Sequence, residues 1–532
     1  MTGRLGSGRT WLLGALGVGL HVGAFPPLSL WPLALLAPWP LTLLALEART
    51  AGRAFWRLYL AGLAIFLLGS AWLAATSPVN LLIVSVVEAG WIGLFGWAAH
   101  RALIGRAAFP TLPLLWTAHE MLRINVPLSG YPWQLLGQAL AANVVAVQAA
   151  DLGGVLLLTF LAACVSAVAL GFQRGERRWA WGLVLPALAV VYGLVRPHTL
   201  AEPRPGPLLA AIQPSFAQKL KEDSEAADVR YARCLDLSVE ALTGGEPVDL
   251  LTWPETMWPF VMGEGEPDAH FEGFGQVDVQ RVQDAEARFL APLLASGPLG
   301  ERAARLLIGT AYYRLAPDGR TLVSNSAVYL DRDGRRLGRY DKSILVPGGE
   351  SIPYARWLPA GLRRWTEEFI QGIAGFVVDL EPGPGPQLVE LDGVRLGVTI
   401  CFENAYGDYC RRFVREGADV LVNLSNEAWF AETELDVMEL HSILRAVETR
   451  RALFRSTNSG ITCLVRPDGR APQGADRLVV GGRDRSVPGV LRARAPVHTD
   501  RTPYLIWGDQ WAWGCVLAAA VLAARRFRGA LP

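Results

Sequence analysis

A chain of 532 residues exceeds what one hydrophobic core usually serves, so two or more structural units are expected. Its 50 basic and 49 acidic residues nearly cancel, and a net charge of +1 gives no global field that would favour nucleic acid. Six cysteines without C-x-x-C spacing and seven histidines without an H-x-x-x-H pair argue against a disulfide scaffold or a zinc site, and no dissociable cofactor is expected.

Apolar residues are concentrated before residue 196 and after residue 504, and most of the acids lie between. Arg4 and Arg9 precede the first apolar run; because a second run follows at once, the first reads as an uncleaved helix rather than a signal peptide. Crossing a bilayer as helix takes roughly 20 apolar residues. About eight candidates meet this approximately, at residues 11–25, 28–46, 58–75, 80–100, 109–122, 152–172, 179–195 and 504–524. Positive charge is retained on the cytoplasmic side of a membrane, and the loops alternate accordingly. Arg4 and Arg9, then Arg49, Arg53 and Arg57, then Arg101 and Arg106, then Arg174, Arg177 and Arg178, and finally Arg525, Arg526 and Arg528 fall on one side. The intervening loops, including 124–150, carry neither Lys nor Arg. The expectation is a multi-pass membrane protein with both termini cytoplasmic. Residues 1–200 would form a seven-helix membrane domain, 201–502 an extracytoplasmic (periplasmic) domain, and 503–532 a last helix and tail.

The outer loop at 124–150 holds Pro127, Gly130, Tyr131, Pro132, Trp133 and Gln134, a composition that suits a membrane-interface belt or a substrate-contacting loop. Glu88, Glu120 and Arg123 lie in or beside apolar spans, where charge is costly; each is either functional or snorkelling from a helix end.

In the polar segment, residues 208–212, 249–253, 305–311, 327–330, 394–400 and 420–424 read as buried strands, with helical stretches at 224–243, 285–294 and 437–452. This is an α/β pattern with layered sheets. The apolar strand at 394–400 ends in Cys401, and 404–416 after it can be helical. A thiol at such a turn meets a helix N-terminus, whose dipole favours thiolate. The commoner state of an isolated cysteine is nevertheless buried and inert. Two further segments bear on the choice. Asp249-Leu250-Leu251-Thr252-Trp253-Pro254-Glu255 delivers a carboxylate at a strand end, and Arg339-Tyr340-Asp341-Lys342 precedes Leu345-Val346-Pro347-Gly348-Gly349-Glu350. Taken singly, the glutamate is a solvated cap and the lysine a surface group. Together they are a carboxylate, an ammonium and a thiol in chain order.

That order in those contexts resembles the nitrilase superfamily over roughly residues 208–494. The resemblance implies an αββα sandwich in which Glu255 is the general base, Lys342 stabilises the thiolate and the tetrahedral oxyanion, and Cys401 forms a thioester. Phrases across the rest of the chain resemble the apolipoprotein N-acyltransferase family, the membrane-bound branch of that superfamily. They are Phe25-Pro26-Pro27 with Leu30-Trp31-Pro32, Gly130-Tyr131-Pro132-Trp133, Asn423-Leu424-Ser425-Asn426-Glu427-Ala428-Trp429-Phe430, Arg445-Ala446-Val447-Glu448, and Arg455-Ser456-Thr457-Asn458-Ser459-Gly460-Ile461-Thr462. The family's reaction moves an acyl chain from the sn-1 position of a phospholipid, through the thioester, to the α-amino group of a diacylglyceryl-cysteine at a lipoprotein N-terminus. The expected partners are therefore a phospholipid donor and a diacylglyceryl-apolipoprotein acceptor, with the protein a monomer and no metal or cofactor required.

By the same resemblance Glu350 and Glu403 match acidic positions around the thioester. Phe402 stands where the family commonly has Tyr, keeping the ring without the hydroxyl. Where the family tends to place Trp in a lipid-contacting loop, this chain has Glu222. Trp253 and Trp258 flank Glu255 and suit packing, and Asn426 and Trp429 are candidates to line the pocket. Residues 347–376, rich in Gly and Pro around Trp357, Leu358 and Trp365, read as a long irregular loop, either a mobile lid or a static arm. A membrane-tethered amidase or hydrolase of the nitrilase family, with water resolving the thioester, shares the triad and stays open. A channel or transporter predicts paired repeats and Gly/Pro-broken spans, which the sequence lacks. Intact Glu255, Lys342 and Cys401 argue against a pseudoenzyme.

Overall fold

Helices fall on each of the eight apolar stretches: Ser7–Gly23, Pro38–Leu46, Ala51–Gly69, Pro78–Leu103, Ala108–Asn125, Ala150–Gln173, Val184–Val195 and Gln510–Ala524. The computed structural model describes residues 7–126, 130–218, 220, 226–266, 269–271, 277–352, 358–374, 380–430 and 432–524. Arg4, Pro127, Glu222, Trp357 and the tail arginines Arg525, Arg526 and Arg528 lie outside the described residues. Four stretches are long and apolar enough to cross a membrane, namely Ala51–Gly69, Pro78–Leu103, Ala146–Gln173 and Ala180–Thr199; Trp31–Leu46 and Gln510–Ala524 are apolar but shorter. Length and composition thus support four spans among the described residues rather than the full expected set of eight.

The chain forms two compact units, one of Met1–Leu200, Phe430–Arg450 and Asp500–Pro532, the other of Ala201–Trp429 and Arg451–Thr499. The division departs from an uninterrupted 201–502 domain at Phe430–Arg450, for a reason visible in its hydrogen bonds. In the first unit Glu434 accepts from Trp133 Nε1, His441 pairs with Gln138 at 2.9 Å, Glu448 accepts the Val155 N–H at 3.0 Å, and Arg450 meets Asp151 at 2.7 Å. Glu120 and Arg123, charged groups within the apolar helices, likewise find hydrogen-bond partners inside the unit. Glu120 accepts from Trp116 Nε1, the Leu136 N–H and the Thr159 hydroxyl, while Arg123 donates to the Trp133 carbonyl at 2.7 Å and lies 3.6 Å from Glu88. Glu88, Glu120 and Arg123 are all buried, so none of them snorkels. Tyr131 and Trp133 stack with centroids 5.0 Å apart, and Trp133 is buried rather than part of an exposed belt.

The second unit contains, in chain order, β1 Leu208–Gln213, β2 Leu250–Trp253, β3 Met262–Glu264, β4 His270–Phe271, β5 Val277–Asp278, β6 Arg305–Leu315, β7 Thr321–Leu330, β8 Arg336–Asp341, β9 Leu388–Leu391, β10 Val394–Ile400, β11 Val420–Ser425, β12 Ala452–Thr457, β13 Cys463–Val465 and β14 Gly489–Arg494. One sheet runs β14-β1-β2-β6-β7-β8 with β3 also on β6, and a second runs β13-β12-β11-β10-β9. The sheets meet where Gln213 of β1 accepts from Thr457 of β12 and from Thr462. Helices Ala227–Thr243 and Val279–Leu290 bury Cys234, Leu237, Ala241, Leu242 and Leu290 with Leu251, Trp253, Leu306 and Ile308 of the first sheet. Helix Gly407–Arg415 packs Phe413 at Gly397 of the second, where an added Cβ would come within 2.9 Å of it. The layered sandwich is the expected α/β architecture.

Within 347–376 the structure places a helix, Ala360–Ala374, where an irregular loop was expected. Leu362, Trp365, Phe369 and Ile373 recur at helical spacing, a signal masked by the Gly and Pro residues on either side. Residues 353–357, 375 and 376 of that segment lie outside the described residues.

Candidate active site

Strands β1, β2 and β6 are mutually parallel, as are β10, β11 and β12, and β8 is antiparallel to β7, which is antiparallel to β6. The carboxyl ends of β2, β8 and β10 therefore deliver Glu255, Lys342 and Cys401, the placement that open α/β sheets favour for a site. All three are buried, with relative exposures of 6%, 1% and 6%. Cys401 takes a left-handed backbone, φ 55°, as the chain turns out of β10 into a short 3-10 turn, Cys401–Ala405. A non-glycine residue holds that conformation only where its surroundings fix it. Here Asn423 of β11 does so, donating to the Cys401 carbonyl and the Thr399 hydroxyl, each at 3.1 Å.

Lys342 Nζ lies 2.8 Å from Glu350 and 3.4 Å from Glu255. Burial disfavours its charge, but Glu350, then Glu255, more than offset this and hold the ammonium far above the ordinary lysine range. Glu255 accepts from Asn325 Nδ2 at 2.7 Å on one oxygen and from the Asn426 backbone N–H at 2.8 Å on the other. Glu350 accepts from Asn325 Nδ2 at 2.9 Å and from the Val346 N–H at 3.0 Å. The ring of Phe402 sits 5.2 Å from the Lys342 ammonium, a cation–π contact that needs no hydroxyl.

The Cys401 thiol is pushed well above its usual range, first by burial and next by the Glu255 charge, with Lys342 pulling the other way. The surroundings favour the thiol, not the thiolate expected from a helix N-terminus, because the α-helix begins only at Gly407 and burial dominates.

Glu403 is fully buried away from solvent and binds four donors: the N–H groups of Ile400, Ser343 and Ile344 and the Tyr340 hydroxyl. Burial nevertheless pushes its carboxyl up to about 7. Trp253 is fully buried and donates to the Ser238 hydroxyl at 2.9 Å, so it belongs to the core between sheet and helix rather than to the site. Asn426 reaches the site through its backbone, and its side chain accepts from Asn458 and donates to Gln218. Trp429 is partly buried in the turn Glu427–Trp429. Sequence reasoning missed Asn325, Asn423 and Tyr340. An asparagine inside an otherwise β-forming run was the available signal for the first two.

Residues 17–168 match the family model described as the apolipoprotein N-acyltransferase N-terminal domain, and residues 208–478 match carbon-nitrogen hydrolase. An apolipoprotein N-acyltransferase of Geobacter metallireducens is 29% identical over 98% of this chain and 96% of its own. One of Bradyrhizobium diazoefficiens is 30% identical over 81% of this chain and 79% of its own. Among solved structures, an amidase from Nesterenkonia sp. matches at 19% identity and a TM-score of 0.38, over 56% of this chain and 93% of that one. With a carbon-nitrogen hydrolase domain following the N-terminal domain typical of these relatives, the chain belongs to the apolipoprotein N-acyltransferase family.

Proposed function

We propose that this chain is a bacterial membrane acyltransferase that moves an acyl group from the sn-1 position of a phospholipid to the α-amino group of an N-terminal S-diacylglyceryl-cysteine on a lipoprotein. The observation that carries the reading is the buried Lys342 ammonium held between Glu255 and Glu350 at the strand ends that also present Cys401. Glu255 takes the thiol proton as sulfur attacks the ester carbonyl, and Lys342 faces the oxyanion that develops. Collapse breaks the ester C–O bond. The lysophospholipid oxygen leaves with the proton from Glu255, and a thioester remains on Cys401. The amine then attacks the thioester carbonyl and passes a proton to Glu255. The C–S bond breaks, the sulfur regains the proton, and the N-acylated lipoprotein departs.

The arginine pattern of the loops supports the inner membrane, with both termini cytoplasmic and the polar segment periplasmic. Both substrates are anchored by their own acyl chains, which suits an enzyme that shares their bilayer. The protein is expected to act as a monomer. The test is intact-mass detection of an acyl adduct on Cys401 after exposure to phospholipid, lost on hydroxylamine treatment, followed by its transfer to an S-diacylglyceryl peptide. Free fatty acid without N-acylated peptide would make the chain a hydrolase instead.

A further inference from the structure

Strand β7 carries an asparagine, Asn325, that is 4% exposed and stands beside Lys342, whose backbone N–H donates to the Asn325 carbonyl at 2.8 Å. Its Nδ2 donates to Glu255 Oε1 at 2.7 Å and to Glu350 Oε1 at 2.9 Å. Its Oδ1 is buried with no hydrogen-bond partner among the described residues. These partners fix the orientation of the amide, since turned over it would present an oxygen to two carboxylates. The arrangement answers an electrostatic problem. Two carboxylates, Glu255 buried and Glu350 partly buried, share one lysine, and like charges held in one site repel each other.

We propose that Asn325 is a positioning residue of the acyl-transfer site, which keeps Glu255 ionised and aimed by donating one amide proton to it and the other to Glu350. The inference rests on the reading of Glu255 as general base. Among the described residues, charged and titratable groups facing Glu255 include Lys342 from the end of β8, Glu350 from the loop beyond it and Cys401 from the end of β10; Glu427, which pairs with Arg455, follows Asn426 at the end of β11. Among them only Lys342 is a cation beside the two carboxylates. Without the Asn325 donors Glu255 and Glu350 keep the lysine and one backbone N–H each, from Asn426 and Val346, but lose the amide that bridges their facing oxygens, and Glu255 binds a proton more readily.

The test uses the full chain in phospholipid-containing micelles, with the rate of Cys401 acylation followed by intact mass as a function of pH. Asn325→Leu keeps the size of the side chain and removes both donors, while Asn325→Ser leaves one shorter donor and decides the matter if the first variant does not fold. The acid limb of the profile is expected to rise by about one to two pH units in Asn325→Leu and by less in Asn325→Ser, with the rate recovering above it. An unmoved acid limb in a folded variant, whether the rate is lowered evenly across pH or unchanged, overturns the inference. If the unsubstituted protein forms no adduct, the assignment of Cys401 itself fails and takes this inference with it, an outcome visible without any substitution.

Discussion

The Glu403 carboxylate accepts the backbone N–H of Ile400 at 2.8 Å, and so ties the residue before the nucleophile to the segment that carries the ammonium. Its other oxygen takes the N–H groups of Ser343 and Ile344, just beyond Lys342, while Tyr340 donates from within β8. Glu403 therefore sets the spacing of Lys342 and Cys401 without standing among the reacting groups. Glu403→Gln puts an amide NH2 against backbone donors at one end or the other. It is expected to destabilise the protein by about 1–3 kcal/mol, read from chemical unfolding, and to slow Cys401 acylation. Full stability together with full acylation would refute the role.

The second prediction concerns the resting state of the nucleophile. Because burial and Glu255 push the Cys401 thiol up, little thiolate exists at neutral pH and the proton must leave as the new bond forms. Alkylation by a small neutral reagent such as iodoacetamide should be slow at about pH 7 and climb steadily as pH rises, since the thiolate is the reactive form. Lys342 is the group that favours thiolate, so Lys342→Ala should slow alkylation at every pH below the new, higher titration point. A rate already at its plateau near neutrality would mean that the thiolate is the resting form.

How much of this was legible in the sequence depends on whether a residue's neighbours are close in the chain. Glu255, Lys342 and Cys401 each end a strand whose apolar run is local, so spacing and context exposed them. The helix Ala360–Ala374 was hidden by Gly and Pro on both flanks. Helix Glu432–Thr449 was visible as a helix, but its packing in the first unit was not, because Trp133, Gln138 and Val155 are about 300 residues away from their partners on it. Asn325 looks like any polar strand residue until β7 and β8 are paired, and only that register brings it beside Lys342.

Removal of the three strand-end groups should separate by chemistry. Cys401→Ala should leave no acyl adduct and no N-acylated peptide. Glu255→Gln and Lys342→Ala should each lower turnover by about a thousandfold or more, since one removes the proton acceptor and the other the charge opposite the oxyanion. Glu350→Ala should lower it by about ten- to a hundredfold, because Lys342 keeps Glu255 as a partner but loses the carboxylate 2.8 Å away. Adduct formation in Cys401→Ala would move the nucleophile elsewhere.

The last prediction concerns a residue with no functional group at all. Gly309 of β6 lies so close to the turn after β2 that an added Cβ would stand 2.2 Å from the Pro254 carbonyl oxygen and 2.7 Å from the Glu255 Cα. Both are backbone atoms, so no side chain can swing away to make room. Gly309→Ala must displace the main chain of Glu255, whose carboxylate is aimed by donors on Asn325 and Asn426 that would not move with it. Turnover should fall about ten- to a hundredfold, with a stability loss of about 1–3 kcal/mol. Gly338→Ala serves as the control, because a Cβ there meets nothing within 4 Å on β8 of the same sheet. If the two variants turn over alike, the tight approach at Gly309 does not set the position of Glu255, and the aim of that carboxylate rests on its hydrogen-bond donors alone.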